Sequence, residues 1–343
     1  MKIIVTGNEG YIGSVLTDGL IKRGHTVAGF DNGWFSKCVA QIVRDPPMTI
    51  RKDLRDVVSK DLAGAQAVIH LAALSNEQFG CWNSHITNAI NVAGTLRLSQ
   101  AAADAGVEHL VFVSSTAVYG RRGAELVDET VSPQPATVYS RSKLDAERAI
   151  LAASPRTMRT TILRPASVFG FSPRFRMDLA VNEFVTTAVT SGIVEMRSEG
   201  TAWRPFVHID DLCLALIAVV EAPDARDRQR VFNVGLSQEN YQIADVAVMV
   251  NSVLNVEVRK IPTRDQDVIG QRVSFDRFRE QFPAWQPVWT LPEALSSVAY
   301  EVERAAIPLK RDPSMFRRLD SVKKLQNSGF LDADLKEIHR PSS

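Results

Sequence analysis

Short runs of consecutive apolar residues alternate, in the first half of this chain, with longer segments whose apolar positions recur at helical spacing. KIIVT (2–6) is followed by a helix from Tyr11 to Arg23, TVAGF (26–30) by a loop, and AVIHL (67–71) by a helix running through Ala89 to Ala105. HLVFVSS (109–115) and TTILRP (160–165) supply further strands, with a helix between them from about Val138 to Ala153. Uniformly apolar runs of this length read as strands buried on both faces, and their alternation with helices predicts an α/β fold. The expected architecture is a Rossmann-type, doubly wound parallel sheet with helices on both sides. In the first helix Ile12, Val15, Leu16 and Leu20 form one apolar stripe, while Asp18, Lys22 and Arg23 face away and Gly24 is positioned as a C-cap.

The pattern loosens after Phe171, where Pro173 and the basic stretch RFR interrupt it. Shorter elements follow: a helix near Asp178 to Thr190, the run IVEMRS, FVHIDD leading into an apolar helix from Leu212 to Val220, and VFNVG. This predicts a first domain over residues 1–170 and a smaller, interleaved α/β substrate domain over 171–305, with segments near 203–235 returning to the first. In a tail over 306–343, LDSVKKLQNSGFLDADL reads as an amphipathic helix and turn.

The 343 residues are 45% hydrophobic, enough for a sizeable core and roughly two domains. With 40 Lys and Arg against 39 Asp and Glu, and no long block of like charge, nothing attracts nucleic acid or an anionic membrane surface. Small-molecule partners are the expectation. Cys38, Cys81 and Cys213 are odd in number and far apart, which fits neither a disulfide framework nor a zinc site and suggests a cytoplasmic protein. The six histidines include no HxxxH or HxH pair, so no metal is expected. Gly7, Asn8 and Glu9 cut short the first apolar run before a signal-peptide core forms, and no apolar run approaches the roughly 18 residues of a membrane span.

VTGNEGYIG (5–13) places Gly7, Gly10 and Gly13, with Tyr11 and Ile12 between the last two, where a strand turns into a helix. The second strand ends at Asp31, 18 residues beyond Gly13. This is the setting of a dinucleotide fingerprint, in which bare backbone lets the pyrophosphate approach a helix N-terminus. The spacing is GxxGxxG rather than GxGxxG. Asp31 is either the acceptor for both adenosine ribose hydroxyls, repelling a 2′-phosphate and selecting NAD over NADP, or a turn aspartate before Asn32-Gly33. Asp53 and Leu54, just beyond the third strand, are placed to reach the adenine edge.

Ser114-Ser115-Thr116 ends a strand, and Tyr139 follows 24 residues after Ser115, with Lys143 four residues further on one helix face. A tyrosine titrates near 10, too high for a base at neutral pH, so the expectation is that Lys143 and a positive nicotinamide draw the Tyr139 pKa down.

Taken together, TGNEGYIG, Asp31, HLAAL, NVAGT, SSTAVYG, YSRSK and LRPASVFG resemble the extended short-chain dehydrogenase/reductase family. Within it the sequence is most similar, from Met1 to about residue 300, to nucleotide-sugar epimerases such as the UDP-glucose/galactose 4-epimerases. The resemblance implies an NAD-binding Rossmann domain, a sugar-nucleotide domain, and a homodimer formed through the helices near 85–105 and 138–153. It implies that Tyr139 takes the sugar hydroxyl proton, that Lys143 binds the nicotinamide ribose, and that Ser115 hydrogen-bonds the same hydroxyl. Leu71, Ala72, Ala73, Asn91 and Ser114 would lie along the cofactor, with Pro165 beside the nicotinamide. Thr116, Ser167, Arg204 and Arg264 would contact substrate, the arginines clamping its diphosphate. The family often has Asn in place of Ser167, and His208 and Asp211 are expected to be structural. The tail has no counterpart in the common pattern, and is expected either to make a dimer contact or to cover the sugar.

The branches of the family differ in chemistry. Dehydratases normally carry an acidic pair after the catalytic Ser or Thr, decarboxylases a Glu at the second of those places, and 3,5-epimerase/reductases a Cys at the first, where this chain has Thr116 and Ala117. What remains is a 4-epimerase, oxidising the sugar to a keto intermediate and returning hydride to the other face, or a 4-ketoreductase. The latter usually prefers NADPH, which Asp31 disfavours. A non-catalytic dinucleotide sensor is the third reading.

Overall fold

The computed structural model describes residues 1–42, 46–223, 229–261 and 270–338. In chain order the first elements are β1 (Lys2–Thr6), α1 (Tyr11–Lys22), β2 (Thr26–Asp31), β3 (Thr49–Arg51), β4 (Ala67–His70), α2 (Glu77–Trp82) and α3 (Ser84–Asn88). A π-helical turn over Ala89–Gly94 leads into α4 (Thr95–Asp104), then β5 (His109–Val113), β6 (Arg121–Val127), α5 (Val138–Ala153), β7 (Arg159–Pro165) and β8 (Ser167–Phe169). There follow α6 (Ala180–Ser191), β9 (Ile193–Met196), β10 (Trp203–His208), α7 (Ile209–Glu221), β11 (Gln229–Val234), β12 (Asn240–Gln242), α8 (Ile243–Leu254), β13 (Glu257–Lys260) and β14 (Gly270–Val273). The chain closes with α9 (Asp276–Gln281), α10 (Leu291–Arg304), α11 (Ala306–Arg311) and α12 (Arg318–Asn327).

Seven strands form one fully parallel sheet in the order β11-β7-β5-β4-β1-β2-β3. The predicted Rossmann sheet is therefore present. Its strands are buried on both faces, as their unbroken apolar runs require. Ile3, Val5, Ile69, Val111 and Leu163 pack with Leu16 and Leu20 of α1 and Leu212 and Leu216 of α7, while Ile4, Val68, Leu110 and Ile162 pack with Leu98 of α4 and Ile150 of α5. Each such side chain contributes roughly 1.5–3 kcal/mol by leaving water. The order reverses at β1, which lies between β4 and β2, and the crevice beyond the strand ends there is where ligands of such sheets bind.

After β7 the chain leaves the sheet and returns to it: α7 packs on α1, and β11 pairs with the β7 edge. Outside this sheet, β12-β10-β8 form a small sheet and β13 pairs with β9. Helices α6, α8 and α10 share a second core around Phe169, Phe206, Val185, Val250 and Leu295. Helix α5 has the limits that the pattern predicts, whereas the expected Ala89–Ala105 helix begins as the π turn. The parallel pair β14-β6 and helices α8 and α10 go beyond the predicted elements.

The tail lies on the first lobe. Leu319, Val322, Leu331 and Leu335 pack with Trp34, Leu74, Phe79, Ile86 and Ile90. Arg55 donates to the carbonyls of Asp334 (2.7 Å) and Leu335 (3.0 Å), and Lys336 pairs with Asp56 at 2.6 Å and Asp53 at 3.4 Å. Arg318, at the start of α12, lines the cavity at the glycine turn, not the one at Tyr139.

Candidate active site

Two adjoining cavities occupy the crevice. The first, about 990 Å³, is walled by Gly7, Gly10, Tyr11, Ile12 and Gly13, by Asp31, Asn32, Asp53 and Leu54, and by Leu71, Ala72 and Ala73. Gly7 has φ +73°, and a Cβ there would stand 2.8 Å from the Ala72 nitrogen; one on Gly13 would stand 2.1 Å from the Gly7 carbonyl oxygen. These two glycines are needed to build the turn itself. At Gly10 a Cβ would approach only the Gly7 carbonyl, at 3.1 Å, so this position leaves its outer side bare. No side chain caps the N-terminus of α1, and its first N–H groups are left for an anion. The cradle therefore fits a dinucleotide pyrophosphate.

Asp31, at the end of β2, accepts from the backbone N–H groups of Glu9 (3.1 Å) and Gly33 (2.8 Å), and burial raises its pKa. Arg51, the nearby cation that would otherwise suit a 2′-phosphate, is held bidentate on Glu9 at 2.5 Å. This rim favours ribose hydroxyls over a phosphate. Asn32 accepts from the Trp34 N–H at 3.2 Å. The Asp53 carboxylate is engaged by the backbone, Nε and Nη2 of Arg55 and by Lys336, which lower its pKa against the effect of burial. The same carboxylate that borders the first cavity thus also helps tie down the tail.

The second cavity, about 1470 Å³, shares Tyr11, Ile12, Leu71, Ala73 and Arg176 with the first and continues past Ser114, Ser115, Thr116, Tyr139, Lys143, Pro165, Ser167 and Arg204. Ser115 caps the turn over Thr116–Tyr119, accepting from the Ala117 N–H at 3.1 Å, and hydrogen-bonds the Tyr139 side chain. Lys143 is buried and donates to the Val113 carbonyl at 2.8 Å. Burial draws its pKa down to about 8, with Glu147 acting in the opposite sense. Tyr139 is pushed up to about 12, first by burial and then by the Glu77 carboxylate, with Arg176 and Ser115 opposing. The expected lowering of this phenol is reversed in the protein alone, because desolvation outweighs the neighbouring cations.

Two other expectations change. Ser114 borders the cavity, but its hydroxyl donates to Glu147, which is paired with Arg164 at 2.6 Å; Arg164 in turn donates to the Tyr119 hydroxyl (3.0 Å), and that hydroxyl to Asn233 (2.8 Å). Asn91 reaches neither cavity, since its amide bonds both backbone groups of Leu74 and the Ser142 hydroxyl. It holds the cavity wall from behind. Thr116 donates to the Pro165 carbonyl at 3.2 Å. Arg264 lies outside the described residues. Asp211 accepts from the N–H groups of Val288 and Trp289, consistent with a structural part.

Sequence reasoning did not identify Glu77, Arg176 or Asp178 as site residues. Arg176 forms a two-point ion pair with Asp178 (2.9 Å each) and donates to the Ser75 hydroxyl at 2.9 Å. Glu77 opens α2 against the second cavity, with Oε2 buried and unpartnered and its pKa raised by burial. The basic stretch RFR, which holds Arg176 and breaks the pattern, was the one available signal. Among the described residues no group of three or more His, Cys, Asp or Glu is placed to hold a metal, and no helix is long and apolar enough to cross a membrane.

Residues 3–235 match the NAD dependent epimerase/dehydratase family. A UDP-glucose 4-epimerase of Corynebacterium glutamicum is 28% identical over 84% of this chain and 92% of that protein. UDP-glucuronic acid decarboxylase 1 of Arabidopsis thaliana is 26% identical over 86% of this chain and 68% of that one. Among solved structures, MoeE5 in complex with UDP-glucuronic acid and NAD superposes with a TM-score of 0.78 at 26% identity, covering 89% of this chain and all of MoeE5. With a glycine cradle, an acidic ribose rim and the Ser115–Tyr139–Lys143 group in one crevice, the chain belongs to the NAD dependent epimerase/dehydratase family, enzymes of nucleotide-sugar chemistry that use NAD.

Proposed function

We propose that this protein interconverts a nucleoside-diphosphate sugar with its C4 epimer. The observation that carries this reading is the joining of the glycine-turn cavity to one holding Ser115, Tyr139 and Lys143, with neutral Thr116 and Ala117 after the serine. Gly7, Gly10, Gly13 and Asp31 would hold NAD, which would supply reversible hydride transfer at the sugar carbon. Tyr139 exchanges a proton with the hydroxyl at that carbon, and Ser115 holds the same oxygen. Protonated at neutral pH, Tyr139 is poised as the donor when a keto oxygen is reduced, and becomes the acceptor in the oxidative half once its phenol is ionised. Arg204 lines the sugar-side cavity, where a guanidinium suits a diphosphate. A second copy of the chain would dock on α4 and α5.

A second reading rests on Glu77. Its carboxyl lies against the sugar cavity from a different part of the chain, and would supply the acid or base that an elimination of water needs. Incubating the NAD-loaded protein with UDP-glucose, UDP-glucuronic acid and dTDP-glucose, followed by chromatography and mass spectrometry, separates the readings. An equal-mass isomer with no net change in NADH supports epimerisation. A product lighter by one water supports dehydration, and net formation of NADH with a keto-sugar lighter by two hydrogens supports a ketoreductase running in reverse.

A further inference from the structure

The tail contributes a charged side chain to the cofactor cavity. Arg318 is 3% exposed and lines the same cavity as Gly7, Gly10 and Gly13. Its guanidinium lies over the Phe35 ring, 4.6 Å from the centroid, and Nη2 donates to the Arg174 carbonyl at 2.6 Å. Nη1 is buried without a partner. Arg176 lines the cavity too, and the nearest carboxylate, Asp178, is occupied by Arg176 at two points and by Asn76 at 2.7 Å. Arg176 thus takes up the Asp178 carboxylate, and both guanidinium groups line a cavity that the uncapped N-terminus of α1 also borders. Burial and the Arg176 charge both lower the Arg318 pKa, the direction expected of a cation lacking its counter-charge. An unpaired buried cation is costly, and a ligand with two adjacent negative charges removes that cost.

From this geometry we propose that Arg318 is a ligand of the dinucleotide pyrophosphate, so that the tail forms an outer clasp on the NAD site. This rests on NAD as the cofactor. The alternative anion, the diphosphate of the sugar nucleotide, is disfavoured because Arg318 does not line the cavity that holds Ser115, Tyr139 and Arg204. The clasp is fastened at its far end by Arg55 on the Asp334 and Leu335 carbonyls and by Lys336 on Asp53 and Asp56.

The test uses the full chain stripped of dinucleotide, with binding of NAD, ADP, adenosine and UDP measured by calorimetry. Arg318→Gln should weaken NAD and ADP by roughly 10- to 100-fold, the range of one or two lost charge-assisted hydrogen bonds, while leaving adenosine and UDP unchanged. Arg318→Lys, which keeps a charge and an aliphatic stem over Phe35, should fall between and serves if the Gln variant does not fold. NAD and ADP affinities within about threefold of wild type in a folded variant would overturn the proposal, as would a loss shared equally by adenosine or confined to UDP. None of these arms uses turnover, so an absence of epimerase activity leaves the outcome intact. Wild-type protein that binds neither NAD nor ADP would overturn the proposal together with its cofactor.

Discussion

Lys143 gives a hydrogen bond to the Val113 carbonyl at 2.8 Å, fastening α5 to the last residue of β5. This bond fixes the helix face that carries Tyr139 one turn earlier, so the lysine positions the phenol. Tyr139→Phe should lower turnover by roughly 10²- to 10⁴-fold, the contribution of a positioned acid–base group, with the released dinucleotide still present at the wild-type amount. Turnover kinetics alongside cofactor quantification check both halves.

Glu77 and burial together hold the Tyr139 phenol protonated to about pH 12. Removing the negative charge should let the phenol ionise at lower pH. In Glu77→Gln the alkaline limb of the kcat/KM profile for sugar oxidation should therefore move to lower pH. An unmoved limb would mean that the carboxylate does not act on the phenol.

The rim formed by Asp31, with Arg51 held on Glu9, should select against a 2′-phosphate. Denaturing the purified protein and identifying the released dinucleotide by mass spectrometry should give NAD or NADH, and Asp31→Ser should narrow the preference for NAD over NADP in titrations. Release of NADPH would contradict this reading of Asp31 and move the reaction toward a ketoreductase.

Glu147 pairs with Arg164 in the interior and accepts from Ser114. Glu147→Ala leaves a buried guanidinium without its partner and should cost about 3–5 kcal/mol, read from urea unfolding.

His70 and His109 are held down to about 3 and His208 to about 4, chiefly by burial. Below the ordinary histidine value of about 6.5 the unfolded chain takes up protons that the native state refuses, so their stabilisation is complete above that pH and declines as pH falls. Each contributes a slope of up to roughly 1.4 kcal/mol per pH unit. The raised carboxylates Asp31, Asp211 and Glu239 act in the opposite sense, but only nearer their own lower range. Urea midpoints should therefore fall between pH 6.5 and about 5.

The parts of this site that are legible in the sequence are the local ones. Gly7, Gly10 and Gly13 declare a strand-to-helix turn, and Tyr139 with Lys143 declares a helix face, because each signal is contained within one turn of chain. Helix α10 went unread although its signal is just as local: Thr290 and Glu293 form its capping box, and Pro292 stands in the first turn. Glu77, Arg176 and Arg318 come from three distant segments, and only the folded chain brings them to the crevice. The direction of the Tyr139 shift was illegible for a related reason. Spacing shows which charges are near, whereas desolvation depends on everything packed around the phenol.

Arg55 and Leu335 touch across 280 positions of sequence. During synthesis the segment through Leu335 must therefore leave the ribosome before the wall containing Arg318 can be fastened over the glycine turn. The parallel sheet has its core partners far earlier, so the nascent protein can acquire a folded interior well before the outer wall of the glycine-turn cavity is complete. Contacts of such long range form slowly, because a large loop must be closed before any of them is rewarded.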